Sequence, residues 1–411
     1  MELLSMMILR RINPINILML LYIISLYLFT YREGYTFVSN IIALALMGAI
    51  WINFLVMRQK LVFNKTVFAF LLFIVVCIIS SFVAIDQDLV FSKVVTLGSI
   101  FLLMISLVNY IDSMEKLKKS INYFIYAGFI ASLYIILSTD FSEITRIGAM
   151  LGNVNSIGII IGISATFSFY LLITKYQIRQ LLFLVVMLPI IVVTGSRKSL
   201  FFIIINFIVI LFLNNSRSIK KIIKFVIISL LMLLIMFYLI YHVEFFYLIL
   251  GTRMENFFAF ITGNGTNEAS LNMRSYMAKF GFSVFKYKPW LGYGIDNYRI
   301  LLGRETGNVT YAHNNFIELM VGTGLLGLIV YYLTHYYVLK SLYKMYQRYR
   351  KLTIYYPFIA IVFSYTILSI SMVYYDDKHI SIILAIGSVI GRILPTYIEG
   401  VSNQKPNTKK D

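Results

Sequence analysis

The chain has 411 residues, of which 60% are hydrophobic, 16% aromatic and only 13% charged, and its mean hydropathy is +0.83. A soluble domain carries about 25% charged residues, so this composition excludes one and implies many membrane spans rather than a single anchor. A single cysteine, Cys77, excludes disulfides and thiolate metal sites, four scattered histidines give no metal-ligand spacing, and the net charge of +18 must be explained by where the cations sit.

In chain order, apolar runs long enough to cross a hydrocarbon core of about 30 Å fall near 14–31, 35–57, 61–84, 89–110, 120–138 and 156–174. They continue near 180–195, 199–214, 221–241, 314–339, 353–374 and 380–397. The fold class expected is all-α, a polytopic bundle of about 12 spans with both termini on one side. Arg10 and Arg11 lead straight into the first run, so no cleavable signal is expected.

The connections support that count, because cytoplasmic loops carry excess Lys and Arg. Arg58, Lys60, Lys65, Lys116, Lys118, Lys119, Lys175, Arg179 and the group Arg217, Lys220, Lys221 and Lys224 fall on one side. So do Lys340 to Lys351 and the tail lysines Lys405, Lys409 and Lys410, whereas Asp86, Asp88, Asp376 and Asp377 mark the other. Both termini are then cytoplasmic, and the basic excess reflects topology and attraction to anionic lipid; nucleic acid is not needed as a partner. The domain organisation expected is a bundle over 1–241, a large external loop over 242–312, and a second bundle with a cytoplasmic tail over 313–411.

Some cations defy the inside rule. Arg253, Arg274, Lys279, Lys286, Lys288, Arg299 and Arg304 lie in the large external segment. Arg197 and Lys198 sit in the short hairpin Thr194-Gly-Ser-Arg-Lys-Ser199, which holds them at headgroup depth. Arg146 precedes the polar turn Gly152-Asn153-Val-Asn155 that opens a span, and Lys93, one turn into its own span, reaches the same face by snorkelling. Each alone is consistent with headgroup anchoring. Together they make a cationic surface suited to a lipid diphosphate, since arginine grips phosphate oxygens with a planar fork. Such fixed positive charge stabilises a diphosphate leaving group.

His313 lies in Ala312-His-Asn-Asn315 at the lip of a span and is either a general base or a helix-end cap. Asn314 and Glu318, four residues apart, share a helix face; the intramembrane carboxylate needs a partner in His313, an arginine or an acceptor hydroxyl. Gly322-Thr-Gly324, Gly327, Gly158 and Gly162 are read as close helix packing. Pro289-Trp290 with Tyr287 and Tyr293 is an interfacial anchor or a sugar platform.

Four motifs, in this order, resemble the bacterial O-antigen ligase and polymerase superfamily. They are Gly152-Asn-Val-Asn155 after Arg146, Thr194-Gly-Ser-Arg197, Arg274 followed by Lys288-Pro-Trp-Leu-Gly-Tyr-Gly294, and Ala312-His-Asn-Asn-Phe-Ile-Glu-Leu leading into Gly322-Thr-Gly-Leu-Leu-Gly327. The resemblance covers about 145–330 and implies a metal-independent inverting glycosyltransfer from undecaprenyl diphosphate at the outer leaflet of the bacterial plasma membrane, with no cofactor. It implies that Arg197 and Arg274 bind the diphosphate and that His313 orients or activates the acceptor hydroxyl. Arg146, Asn153, Asn155, Lys198, Arg253, Asn314, Glu318 and Lys93 are the further candidates for substrate contact.

The motifs are shared by polymerases and ligases. Heavy use of Ile, Lys, Asn and Tyr points toward capsule or exopolysaccharide and favours a polymerase that joins lipid-linked repeat units, working beside a flippase and a chain-length regulator. Transfer to lipid A core by a ligase is the alternative. A lipid-oligosaccharide flippase would need similar cations, but it should place charges at the bilayer midplane, and the spans here are nearly free of them.

Overall fold

The computed structural model describes residues 13–139, 151–215, 240–262 and 269–403, with isolated positions between 220 and 238. Arg146, the basic N- and C-terminal residues, most of the run near 221–241 and residues 263–268 lie outside the described residues.

Among the described residues every regular element is helical. The helices are α1 (Pro14–Phe29), α2 (Thr36–Val56), α3 (Lys65–Ser80), α4 (Gln87–Tyr110), α5 (Met114–Ser138), α6 (Val154–Lys175), α7 (Gln180–Val193) and α8 (Arg197–Asn215). Then follow α9 (Thr252–Ile261), α10 (Ala269–Phe285), α11 (Tyr298–Thr306), α12 (Asn315–Arg348), α13 (Tyr356–Leu368) and α14 (Lys378–Asn403). Among the described residues eight helices are long and apolar enough to cross a membrane, and α1, α7 and α13 are shorter apolar ones. This is a multi-pass membrane protein.

The starts of these helices are set by short polar side chains that accept the otherwise unpaired first N–H groups. Asn13, Asn64, Asp86, Asn153 and Asn314 each cap a helix in this way. The segment expected as a large loop is itself largely helical: a π-turn at Tyr247–Gly251 leads into α9, and α10 and α11 follow.

The chain divides into two compact units, each drawing on separated stretches of sequence. One comprises 1–60 and 118–255, the other 61–117 and 256–411. In the first, α6 packs against α7 and α8. The approach is close because an added Cβ at Gly158 would lie 2.3 Å from Ser199 Oγ, and one at Gly162 would lie 2.9 Å from the Phe202 ring. In the second unit, α12 packs against α3, α14 and α10.

Helix α12 is not one rod. Asn315 and Tyr332 are 17 residues apart, which a continuous α-helix would separate by about 25 Å. Instead, Asn315 Nδ2 donates to the Tyr332 hydroxyl at 2.9 Å, and the Phe316 and Tyr332 rings stack at 5.0 Å. The helix therefore folds back at Gly324, whose φ of 67° and ψ of −168° are non-helical. One arm, 315–323, runs up to the reversal, and the second, 325–348, runs away from it.

The loop Lys288-Pro-Trp-Leu-Gly-Tyr-Gly294 supplies the hydrogen bonds that the break removes. Leu325 N–H donates to the Pro289 carbonyl at 2.8 Å, Leu326 N–H to that of Trp290 at 3.4 Å, and Tyr293 N–H to that of Val321 at 2.8 Å. The glycines expected as helix packing thus have a second use. An added Cβ at Gly324 would sit 2.2 Å from the Trp290 carbonyl, and one at Gly292 would sit 2.4 Å from the Val321 oxygen. Trp290 and Tyr287 themselves are exposed.

Candidate functional site

In the first unit, a cationic cluster forms where two helices begin. Ser196 and Arg197 start α8, and Asn153 starts α6 by accepting from Asn155 N–H at 3.0 Å. The Ser199 hydroxyl donates to the Asn155 carbonyl at 3.2 Å, which ties the two starts together. Gly195, at φ 61°, makes the turn between α7 and α8. Its carbonyl accepts from Arg253 Nη1, while Arg197 Nη1 donates to the Arg253 carbonyl. Arg197 thus holds the backbone of Arg253, Arg253 holds that of Gly195 two residues before Arg197, and the Arg197 side chain is buried at the first turn of α8. Each helix N-terminus contributes about half a positive charge. Arg197, Lys198 and Arg253 add positive charge at this point, a combination that favours an anion.

In the second unit, a denser polar cluster surrounds the start of α12. Asn314 Oδ1 accepts from Phe316 N–H at 2.9 Å and Ile317 N–H at 3.1 Å. Asn315 is fully buried, and its Oδ1 accepts from the N–H groups of Tyr374 and Tyr375, each at 3.1 Å. Glu318, 1% exposed, accepts Ala312 N–H on Oε2 at 2.7 Å. Between these anchors His313 is held at φ 54°, a conformation costly for a residue with a side chain. Its ring lies 4.1 Å from that of Tyr311. Burial pushes the Tyr311 phenol above its ordinary range, with the nearby Arg274 charge pulling it back. Arg274, Tyr311 and His313 therefore share one neighbourhood.

Alongside runs an ionic ladder. Lys93 Nζ lies 2.6 Å from Asp376 Oδ2 and 3.8 Å from Asp296 Oδ2, and Arg299 Nη2 lies 2.6 Å from Asp296 Oδ1. Asp296 also adopts a left-handed backbone, at φ 66°. Burial pushes its carboxyl above the usual range, against the pull of Lys93 and Arg299. The neighbouring Asn297 and Asp86 exchange bonds: Asp86 N–H to Asn297 Oδ1 at 2.7 Å, and Asn297 Nδ2 to the Asp86 carbonyl at 3.0 Å.

Of the residues singled out by sequence, Asn153, Asn155, Arg197, Lys198 and Arg253 fall in the first cluster. Lys93, Arg274, His313, Asn314 and Glu318 fall in the second, and Arg146 lies outside the described residues. Lys93, expected to snorkel toward headgroups, is held by two carboxylates, and the intramembrane Glu318 has a backbone N–H as its partner. Sequence reasoning does not single out Asp296 or Tyr311, and it reads Asp376 only as a marker of the outer side.

Residues 182–332 match the family model described as O-Antigen ligase. This segment, somewhat over a third of the chain, is thus similar to O-antigen ligases. The O-antigen ligase segment runs from α7 to the second arm of α12 and so contains Arg197, Arg253, Arg274, Arg299, His313 and Glu318. Members of the family are membrane glycosyltransferase-like enzymes that act on lipid-linked oligosaccharides. No curated protein matches the chain.

Proposed function

We propose that this protein is a polysaccharide polymerase of the bacterial plasma membrane. It transfers a growing glycan from undecaprenyl diphosphate to the acceptor sugar of another lipid-linked repeat unit, at the outer leaflet and with inversion. The observation that carries the reading is the pair of arginines at the start of α8, Arg197 bound to the Arg253 carbonyl and Arg253 to that of Gly195, inside the O-antigen ligase segment. A buried guanidinium at a helix N-terminus is a costly arrangement that a diphosphate compensates. Fixed positive charge of this kind stabilises a diphosphate as the leaving group, and Arg274 is assigned the same chemistry through its motif. His313, fixed by its neighbours in a strained backbone, would orient the acceptor hydroxyl and take up its proton as the glycosidic bond forms.

Composition supports the polymerase over the ligase reading, through the Ile-, Lys-, Asn- and Tyr-rich usage noted above. The test is purified protein in liposomes carrying lipid-linked repeat units. A ladder of lengthening glycans with release of polyprenyl diphosphate is the result expected. Transfer only to added lipid A core, with no elongation of the repeat units, would identify a ligase, and translocation without polymer would identify a flippase. An inserted Arg197→Ala protein that still makes full-length polymer would remove the diphosphate role.

A further inference from the structure

The second-unit cluster leaves two buried polar atoms without a hydrogen-bond partner among the described residues: Glu318 Oε1 and Arg299 Nε. Glu318 gives its other oxygen to Ala312 N–H, and Arg299 gives Nη2 to Asp296. Their chain neighbours Tyr298 and Ile317 pack, with Ala312, in one buried apolar cluster, which brings the two side chains into the same region. Asp296 holds the guanidinium through Nη2, and Lys93 in turn links Asp296 to Asp376. A buried polar atom left unpaired is costly, more so when its group is charged, so these two atoms are configured for something that enters.

Their chemistry specifies the visitor. A carboxylate oxygen only accepts, and a guanidinium Nε–H only donates. A hydroxyl satisfies both, because its O–H donates to Glu318 Oε1 while its lone pair accepts from Arg299 Nε. A phosphate would be repelled by the carboxylate, and an ammonium by the guanidinium. We propose that Glu318 and Arg299 form a hydroxyl-binding subsite that takes a hydroxyl of the acceptor glycan. Glu318 also anchors the backbone of Ala312, next to His313. The carboxylate that binds the sugar hydroxyl therefore also sets the position of the imidazole. Asp296 and Lys93 are positioning residues for Arg299. This rests on the glycan-transfer reading above, and it adds which two side chains recognise the acceptor and by what group.

The test uses the full-length protein in nanodiscs, with a diphosphate-free, water-soluble glycoside of the repeat unit as acceptor and a fixed concentration of lipid-linked donor. Glu318→Gln keeps an oxygen for Ala312 N–H but turns a donor toward Arg299. Arg299→Lys keeps the charge toward Asp296 and removes Nε–H. Both variants should raise the acceptor KM about tenfold or more, with the donor KM close to wild type. Unchanged acceptor KM in both would overturn the subsite. A cryo-EM map of the wild-type protein soaked with the same glycoside serves if either variant fails to fold. A sugar oxygen within about 3 Å of both atoms is the result expected. A water retained there with the sugar elsewhere, or a direct Glu318–Arg299 bond, would refute the proposal. If wild-type protein elongates nothing, the polymerase reading fails, and the map still decides whether the subsite binds a glycan hydroxyl.

Discussion

The reversal in α12 gives the sharpest prediction. Replacing Gly324 with Ala asks a side-chain-bearing residue to adopt φ 67° and ψ −168°, a region nearly exclusive to glycine and costing about 1–3 kcal/mol. The new Cβ would also lie 2.2 Å from the Trp290 carbonyl and 2.6 Å from Leu291 N. Those are backbone atoms, with no rotamer to move them aside, so the 289–293 loop must retreat. Its retreat breaks the three bonds made by Leu325, Leu326 and Tyr293, each about 1 kcal/mol net. The sum is about 4–6 kcal/mol.

Thermal unfolding in nanodiscs should show the loss as a fall in Tm on the order of 10 °C. Gly48→Ala and Gly98→Ala are the controls, because nothing lies within 4 Å of an added Cβ at either helical position. They should leave Tm unchanged or raise it slightly, since Ala favours helix by about 1 kcal/mol. A geometric readout accompanies the thermal one. Cysteines at the half-buried Phe316 and Tyr332, whose rings stack at 5.0 Å, in a Cys77→Ser background, should be joined by a short bis-maleimide, which about 24 Å of continuous helix between them could not allow. Wild-type stability in Gly324→Ala together with failure of that cross-link would refute the folded-back helix.

Other expectations concern the two clusters separately. Gly158→Val places bulk where even a Cβ meets Ser199 Oγ at 2.3 Å; overpacking should cost about 1–3 kcal/mol, read as a lower Tm. Because Ser199 lies in the first turn of α8, polymer yield should fall with it. Arg197→Lys keeps the charge but loses the planar fork, so it should insert normally yet lose most polymer synthesis in the liposome assay. Arg274→Ala should insert and unfold like wild type while losing polymer synthesis in the same assay.

Much of the helical framework is legible in the sequence, because hydropathy and short polar caps act locally. The runs read near 35–57, 89–110 and 156–174 correspond to α2, α4 and α6 within a few residues, and Asn153 and Asn314 mark starts that side-chain capping then explains. The reversal is not legible. Residues 314–339 form an unbroken apolar run, and Gly-Thr-Gly reads equally as helix packing or as a turn until the loop that fills it is known. The ionic ladder is hidden for another reason: Lys93, Asp296 and Asp376 are far apart in sequence, and nothing local at any of them announces the other two. His313 and Arg197 were visible through their motifs. Arg299 was visible only as one more cation in a charged stretch.

The buried start of α12 explains why so many polar residues crowd around one histidine. Irregular backbone in an apolar interior must have every N–H and C=O satisfied from within the protein. Asn314 caps two N–H groups, Asn315 takes those of Tyr374 and Tyr375, and Glu318 takes that of Ala312. These three residues thus maintain a backbone that His313 occupies at a positive φ. Asn315→Ala would leave two buried N–H groups and the Tyr332 hydroxyl without their acceptor or donor, costing about 1–3 kcal/mol for each group left unpaired. It should therefore lower stability and polymer yield together. His313→Ala removes none of those bonds and keeps a non-glycine residue at the same φ, so its Tm should move by only about 1 kcal/mol equivalent, while glycan elongation is lost. If His313→Ala unfolds as readily as Asn315→Ala, the histidine is part of the scaffold and the base role falls.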